Sequence, residues 1–123
     1  MQRRLHDAIT LLGYFTVTNL PNARIMSMSA MSVGGATLTS RLAALPLCYF
    51  MEEKYKGILF PTFVACALQS PTNLELLQAE MSLVPIVKFL KTHASATAKE
   101  QNGILQLVDI SSAVNVFEAT EAK

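Results

Sequence analysis

One pattern, an apolar stretch followed by a proline-containing turn, occurs twice in this chain at an offset of 51 residues. The first copy places Asn19-Leu20-Pro21-Asn22 after an apolar stretch over 8–17, and the second places Ser70-Pro71-Thr72-Asn73 after 58–68. The aligned pairs are Leu12 with Phe63, Phe15 with Cys66, Val17 with Leu68 and Asn22 with Asn73. A single unit of this size cannot bury its own apolar face, so the copies are predicted to stack and share one core.

The repeated pattern predicts an all-α fold. Because the second copy, over 73–90, follows an armadillo-type repeat, we expect an armadillo/HEAT-like helical repeat stack of about six to eight helices. The chain has 123 residues, enough to bury about 65% of its unfolded surface, and we expect one helical-repeat domain over 1–123. Such a fold offers binding surface rather than chemistry.

Periodicity and cap residues predict where the helices lie. The predicted ranges are 3–18, 23–31, 37–45, 52–69, 73–78, 84–94, 104–108 and 112–119. Asn22 is expected to cap the second helix and Asp109 or Ser111 the last. Pro61 is expected in the first turn of an apolar helix over 58–68, where proline is tolerated. The polar segment 93–102 is predicted to be a mobile loop.

Composition excludes several classes of protein. The hydrophobic fraction is 51% and a helical pattern is already under way at Leu5, which predicts a fragment of a longer protein. The longest apolar run, 58–68, is too short to span a bilayer, so no membrane insertion is expected. Cys48 and Cys66 form no CxxC pair and are predicted to be reduced core cysteines of a cytosolic protein. The net charge of +1 gives no global electrostatic reason to bind nucleic acid.

No arrangement of residues predicts catalysis. The two histidines, His6 and His93, lie in unrelated segments without metal-ligand spacing. Gly34-Gly35 lacks the following Lys-Ser/Thr of a phosphate loop. Glu75 and Glu80 are typical of solvated helix carboxylates. We therefore expect a protein that is not an enzyme, with no catalytic, cofactor-binding or metal-binding residues.

The basic residues form one weak candidate site. Its members are Arg24, Arg41, Lys54 and Lys56. If antiparallel helices bring these helix ends to one edge, the patch could neutralise a few phosphates of RNA. The alternative is an ordinary solvated helix edge, partly balanced by Glu52 and Glu53.

Several blocks, taken in order, resemble a known family. They are Gly13-Tyr14-Phe15-Thr16-Val17, Pro21-Asn22, Leu45-Pro46 with Tyr49-Phe50, Leu59-Phe60-Pro61, Ala65 and Glu80-Met81-Ser82. Their order and spacing resemble the C-terminal domain of the SCAPER family (S-phase cyclin A-associated protein in the endoplasmic reticulum). The resemblance runs from about Leu5 to Leu90, and Arg41 and Lys54 fall where basic residues are expected in the family.

The resemblance implies an adaptor that acts in tubulin autoregulation. Its expected location is the cytoplasm, including the cytosolic side of the endoplasmic reticulum. In that process a tetratricopeptide-repeat factor recognises nascent tubulin at the ribosome. The C-terminal domain of the SCAPER-like protein is then expected to contact the ribosome, through ribosomal RNA, and that factor. Other parts of the full-length protein are expected to recruit a deadenylase complex that shortens the tubulin mRNA tail.

The predicted function is therefore that of a non-catalytic docking domain. Two other classes stay open. The first is a generic armadillo-type peptide- or protein-binding module with no ribosome role, which would bind an isolated peptide. The second is a terminal piece of a longer solenoid that only caps a core, in which surface charge reversals would change stability by no more than about 0.5 kcal/mol.

Overall fold

The structure, a computed structural model, describes residues 2–26, 37–94 and 103–121, and these consist of helices and their connections. The α-helices are α1 (Gln2–Thr16), α2 (Leu20–Ile25), α3 (Leu38–Ala43), α4 (Cys48–Met51), α5 (Glu53–Ala67), α6 (Pro71–Glu80), α7 (Val84–Ala94) and α8 (Ile110–Glu121). A 3₁₀ turn, Leu105–Leu107, precedes α8. The described ranges contain no strand, so the all-α prediction is confirmed. An armadillo/HEAT-type arrangement of these helices stays a prediction.

The offset of 51 residues recurs in the hydrogen bonds of the two turns. Helices α1 and α5 each have 15 residues. The last carbonyls of a helix lack intrahelical partners. After α1, Asn22 Nδ2 donates to the Phe15 carbonyl at 2.7 Å, and after α5, Asn73 Nδ2 donates to the Cys66 carbonyl, also at 2.7 Å. The sequence alignment of these residues therefore has a structural counterpart.

The N-terminal caps of α2 and α6 are also equivalent. Asn19 Oδ1 accepts from the Asn22 amide at 3.1 Å, and Ser70 Oγ accepts from the Asn73 amide at 3.3 Å. The prediction that Asn22 caps the second helix is therefore wrong. Asn19 has the extended backbone that a capping residue needs, and Pro21 fits the first turn that follows it.

Helix α2 is shorter than the predicted 23–31. It ends at Ile25, because the Met26 carbonyl accepts from the backbone amide of Thr39 at 3.1 Å and from its hydroxyl at 3.2 Å. The start of α3 therefore takes the acceptor that a longer helix would have used. Residues 27–36, which include Gly34-Gly35, lie outside the described residues.

Asn73 joins four segments of the fold and is fully buried. Besides Cys66 on α5, its amide nitrogen donates to the Ala23 carbonyl of α2 at 2.6 Å. Its Oδ1 accepts from the Thr39 hydroxyl of α3 at 3.3 Å. The one side chain thus satisfies backbone groups of two other helices while it holds α6 against them.

Helix α5 forms the centre of the core. Every residue over 59–67 is buried, and α5 contacts α1, α4, α6 and α7. The Phe60 ring meets the Phe89 ring of α7 edge to face, with centroids 5.4 Å apart. Pro61 lies inside this helix, not in its first turn as predicted, because α5 begins at Glu53. Pro61 has no N–H and therefore cannot donate the i→i−4 hydrogen bond of a regular helix.

Helices α1 and α5 approach each other closely at Gly13. A Cβ atom at Gly13 would lie 2.8 Å from Thr62 Oγ1 and would also meet the Ile104 side chain. The Thr62 hydroxyl donates to the Ile9 carbonyl at 2.8 Å. Glycine at this position therefore permits a helix–helix contact that includes a side chain-to-backbone hydrogen bond.

Helix α8 packs against α7 and contributes a cap to it. The Glu121 carboxylate accepts from the Leu83 amide at 2.9 Å and from the Ser82 hydroxyl at 3.0 Å, just before α7 begins. Asp109 Oδ1 accepts from the Ser112 amide at 3.3 Å, which confirms Asp109 as the cap of α8. The predicted mobile loop 93–102 overlaps α7 at 93–94, and the rest of it, 95–102, lies outside the described residues.

Candidate functional site

The four predicted basic residues lie on three helices. Arg24 and Arg41 are exposed in the last turns of α2 and α3. Lys54 and Lys56 lie in the first turn of α5. Residues two apart on a helix point about 200° away from each other, so these two lysines serve different surfaces. Lys54 and Lys56 therefore do not belong to one patch, and the binding of RNA or a partner by these four residues stays a prediction.

Lys54 lies beside a cluster of three rings. Its Nζ is 5.0 Å from the centroid of the Tyr55 ring, within the range of a cation–π interaction. Tyr55 packs against Tyr49 and His6, with centroids 5.0 and 5.4 Å away. We call His6, Tyr49 and Tyr55 the aromatic cluster. It joins α1, α4 and α5 directly below an exposed lysine.

A hydrogen bond orders the aromatic cluster. His6 Nε2 and the Tyr49 hydroxyl are 2.8 Å apart. Burial raises the pKa of Tyr49 above its ordinary value of 10.0, so the phenol stays neutral at physiological pH. The hydrogen bond joins the start of α1 to α4. Lys54 is the exposed charged group beside this cluster.

Lys56 lies on the other side of α5, at a groove of about 350 Å³ between the start of α5 and α7. Its Nζ is 3.4 Å from Glu53 Oε1, and the side chain is 23% exposed. Lys88 of α7 lies on the opposite wall. The apolar lining comes from Phe50, Met51, Val84, Pro85 and Phe89. The groove thus combines an apolar floor with a lysine from each of two helices.

A second groove, of about 400 Å³, continues this apolar surface towards α3 and α4. It shares Phe50, Met51 and Pro85 with the first and adds Leu45, Leu47 and Met81. Leu47 is 72% and Met51 66% exposed. We call the two grooves together the α4–α7 groove. Contiguous exposed apolar surface of this kind marks interaction sites in soluble domains.

The described residues offer binding groups rather than reactive ones. Over 2–26, 37–94 and 103–121, no group of three or more His, Cys, Asp or Glu side chains could hold a metal ion. None of the helices in these ranges is both long and apolar enough to cross a membrane. Both cysteines are free thiols. Burial raises the pKa of Cys66 to about 12, which keeps it a protonated, unreactive thiol.

Sequence reasoning missed the α4–α7 groove and the aromatic cluster. Residues 47–51 lie between two of the predicted helices, but Cys48–Met51 is a turn of α-helix, which places Leu47 and Met51 on one face. The spacing of these two apolar residues after Pro46 was the available signal. His6 and Tyr49 are 43 residues apart, and no local pattern predicts that they meet.

In comparison with known proteins, no family model and no solved structure matches this chain. The S phase cyclin A-associated protein in the endoplasmic reticulum of Homo sapiens is 31% identical to this chain over 98 residues. The match covers 80% of this chain and 7% of the human protein. The predicted resemblance is therefore confirmed, and the chain is a partial homologue of that protein. Its assignment to the C-terminal domain in particular stays a prediction.

Proposed function

We propose that this partial homologue of the S phase cyclin A-associated protein is a non-catalytic docking domain in tubulin autoregulation. It binds the ribosome and the tetratricopeptide-repeat factor that recognises nascent tubulin, so that tubulin mRNA is degraded. A deadenylase complex joins through other parts of the full-length protein. The domain works in the cytoplasm, including the cytosolic side of the endoplasmic reticulum. The placement of Lys54 and Lys56 on opposite sides of α5 supports two separate contacts, one for each partner.

The ribosomal contact uses exposed cations on phosphates of ribosomal RNA. Lys54 is held over Tyr55 and presents one positive charge, while Arg41 and Arg24 present theirs from the ends of short helices. The chain carries a net charge of only +1, so it would bind RNA weakly by itself. A weak RNA contact gives a substantial overall affinity only when a second contact is made by the same rigid domain.

The protein contact uses the α4–α7 groove. Leu47 and Met51 supply exposed apolar surface, and Lys56 and Lys88 supply two cations beside it. Methionine adapts its shape to a partner at little cost, which suits a regulated and reversible contact. Binding to the factor would then hold the domain near the ribosome, where the weak RNA contact adds to the affinity.

Co-sedimentation with ribosomes, with and without the tetratricopeptide-repeat factor, tests this function. The double reversal Arg41→Glu/Lys54→Glu should weaken factor-dependent binding about tenfold and lower the slope of log K against log salt by about two. Leu47→Ser/Met51→Ser, which alters no charge, should remove the dependence on the factor and leave the salt slope unchanged. Circular dichroism confirms that each variant is folded.

A matched pair of single reversals separates contact from net charge. Lys54→Glu and Lys91→Glu change the net charge equally. Lys91 lies outside the proposed RNA contact, and its Nζ is 2.6 Å from Glu118 Oε1. Only Lys54→Glu should weaken binding. If both variants weakened ribosome binding equally, the effect would come from the net charge of the domain and not from a specific contact of Lys54. Failure of the wild type to sediment in any condition would reject the ribosome role.

The α4–α7 groove also fits the second candidate, a generic peptide- or protein-binding module without a ribosome role. That module would bind an isolated apolar peptide in the absence of ribosomes, and Leu47→Ser/Met51→Ser would abolish this binding. This candidate would be favoured over the docking function if the wild type binds the peptide but not ribosomes, and if the double variant no longer binds the peptide.

A further inference from the structure

The side of α1 that faces away from α5 is an open apolar surface. Leu11 is 67%, Tyr14 48% and Phe15 45% exposed. Together with Ala8 and Leu12 they line a shallow groove of about 720 Å³. Leu12 is half-buried and also packs against the core, so we call Ala8, Leu11, Tyr14 and Phe15 the outer face of α1. The exposed Arg4 and Asp7 lie on the same side of the helix, one turn before Ala8 and Leu11, so the apolar surface has a charged border at its N-terminal end.

The internal repeat relates this face to one that is occupied. Helix α5 receives α1 through three positions along its length. Tyr55 contacts His6, Thr62 donates to the Ile9 carbonyl at 2.8 Å, and Ala65 packs with Val17. These three positions are spaced by about two helical turns and then one, so they form one stripe of α5.

The offset of 51 residues maps that stripe onto two residues of the outer face of α1 and onto the exposed Arg4 that precedes them. The equivalents of Tyr55, Thr62 and Ala65 are Arg4, Leu11 and Tyr14. Leu59 and Cys66, which lie on the same side of α5, correspond to Ala8 and Phe15. The residues of α5 that contact α1 therefore have equivalents in α1 that are exposed to solvent.

We propose that the outer face of α1 docks an amphipathic α-helix in the way that α5 receives α1. The incoming helix presents an apolar stripe to Leu11, Tyr14 and Phe15, with a small residue at the crossing point. Leu11 stands where Thr62 stands in α5 and is larger, so the residue opposite it must be as small as Gly13 is opposite Thr62. Leu11 has no hydroxyl, so the contact depends on apolar packing and not on a hydrogen bond to the backbone. This inference is independent of the ribosome and of the α4–α7 groove.

A labelled peptide with the sequence of residues 2–18 of this chain is the probe. Its stripe of Ile9, Gly13 and Val17 is the one that fits the occupied face of α5. Fluorescence anisotropy with the intact 123-residue protein should show saturable binding. Leu11→Glu in the protein should weaken this binding at least about tenfold. Leu107→Glu, at a leucine that is 53% exposed and belongs neither to the outer face nor to the α4–α7 groove, should leave it unchanged.

Three outcomes would overturn the proposal. Absence of binding would show that the outer face is not a helix-docking surface. Binding that survives Leu11→Glu would mean that the peptide displaces the protein's own α1 from α5, since Leu11 does not face α5. A concentration-dependent dimer in sedimentation velocity that Leu11→Glu abolishes would assign the face to a second copy. The peptide variant Gly13→Leu adds a positive test, because it should also lose at least about tenfold in affinity.

Discussion

The side chains of Asn22 and Asn73 make the same hydrogen bond in two different environments. Each donates to the carbonyl seven residues earlier, at the end of a 15-residue helix. Asn22 is half-buried at the edge of the fold, so water can replace its amide. Asn73 is fully buried, and its amide nitrogen serves the carbonyls of both Ala23 and Cys66. The cost of losing the amide should follow this difference in burial.

We therefore expect Asn73→Ala to lower the free energy of unfolding by about 3 kcal/mol, because two buried carbonyls lose their donor. The matched variant Asn22→Ala should lose about 1 kcal/mol. Urea unfolding followed by circular dichroism measures both values. Equal losses at the two sites would show that burial does not decide the cost.

The thiol of Cys66 gives stability a dependence on pH. Its pKa is raised from 9.0 to about 12 by burial, so the folded protein keeps the thiol protonated where the unfolded chain loses the proton. The stabilisation from this group is complete below pH 9 and is lost as the pH rises from 9 towards 12. We expect the free energy of unfolding to fall by about 1.4 kcal/mol for each pH unit in that window.

The variant Cys66→Ala isolates this contribution, since all other titrating groups are shared with the wild type. The difference in unfolding free energy between the two proteins should be constant from pH 7 to 8 and should shrink between pH 9 and 10. Urea titrations at these pH values measure it. A difference that stays constant across the whole range would contradict the prediction.

At the scale of the helix, the same substitution should have opposite effects in α1 and α5. A Cβ atom at Gly13 would lie 2.8 Å from Thr62 Oγ1, whereas a Cβ atom at Gly57 would meet nothing within 4 Å. Gly13→Ala should therefore cost about 2 kcal/mol through overpacking of the α1–α5 contact. Gly57→Ala should stabilise the protein by about 0.5–1 kcal/mol, because alanine restricts the unfolded chain more than glycine does.

Thermal and urea unfolding of the two glycine variants would decide between packing and helix propensity. If propensity dominated, both substitutions would stabilise. If Gly57→Ala lowered stability, the backbone at this position would require glycine for a reason other than space. One such reason is a backbone geometry imposed by Pro61, one turn later.

Local signals in the sequence predicted the long elements well. The range 84–94 coincides with α7, and the offset of 51 residues is repeated in helix lengths, caps and hydrogen bonds. These features depend on periodicity and on residues within one turn of each other. Predictions failed where two local choices compete. Asn19 and Asn22 are both good capping residues, and only the backbone of the turn selects Asn19.

The candidate site was less predictable because its geometry is not local. Lys54 and Lys56 are neighbours in sequence, yet the helix directs them to different surfaces. Lys54 lies over its sequence neighbour Tyr55, but Tyr49 and His6, which complete the aromatic cluster, are brought to Tyr55 only by packing. Lys88, on the far wall of the groove from Lys56, has no sequence signal that links the two.

At the scale of the whole molecule, the two copies of the repeat share one core and should unfold together. Helix α5 is buried on every side over 59–67, so neither α1 nor the α6–α8 part can leave without exposing it. A repeat unit that depends on its neighbour for burial has little stability of its own. We expect a single cooperative transition in urea.

The distribution of aromatic residues makes this test simple. The chain has no tryptophan, and its three tyrosines, Tyr14, Tyr49 and Tyr55, all belong to α1, α4 and α5. Tyrosine fluorescence therefore follows the first half of the fold, while circular dichroism at 222 nm follows all helices. Coincident midpoints and slopes are expected for one cooperative unit. A tyrosine transition at lower urea concentration would show that α1 and its contacts separate first, and that the copies stack without depending on each other.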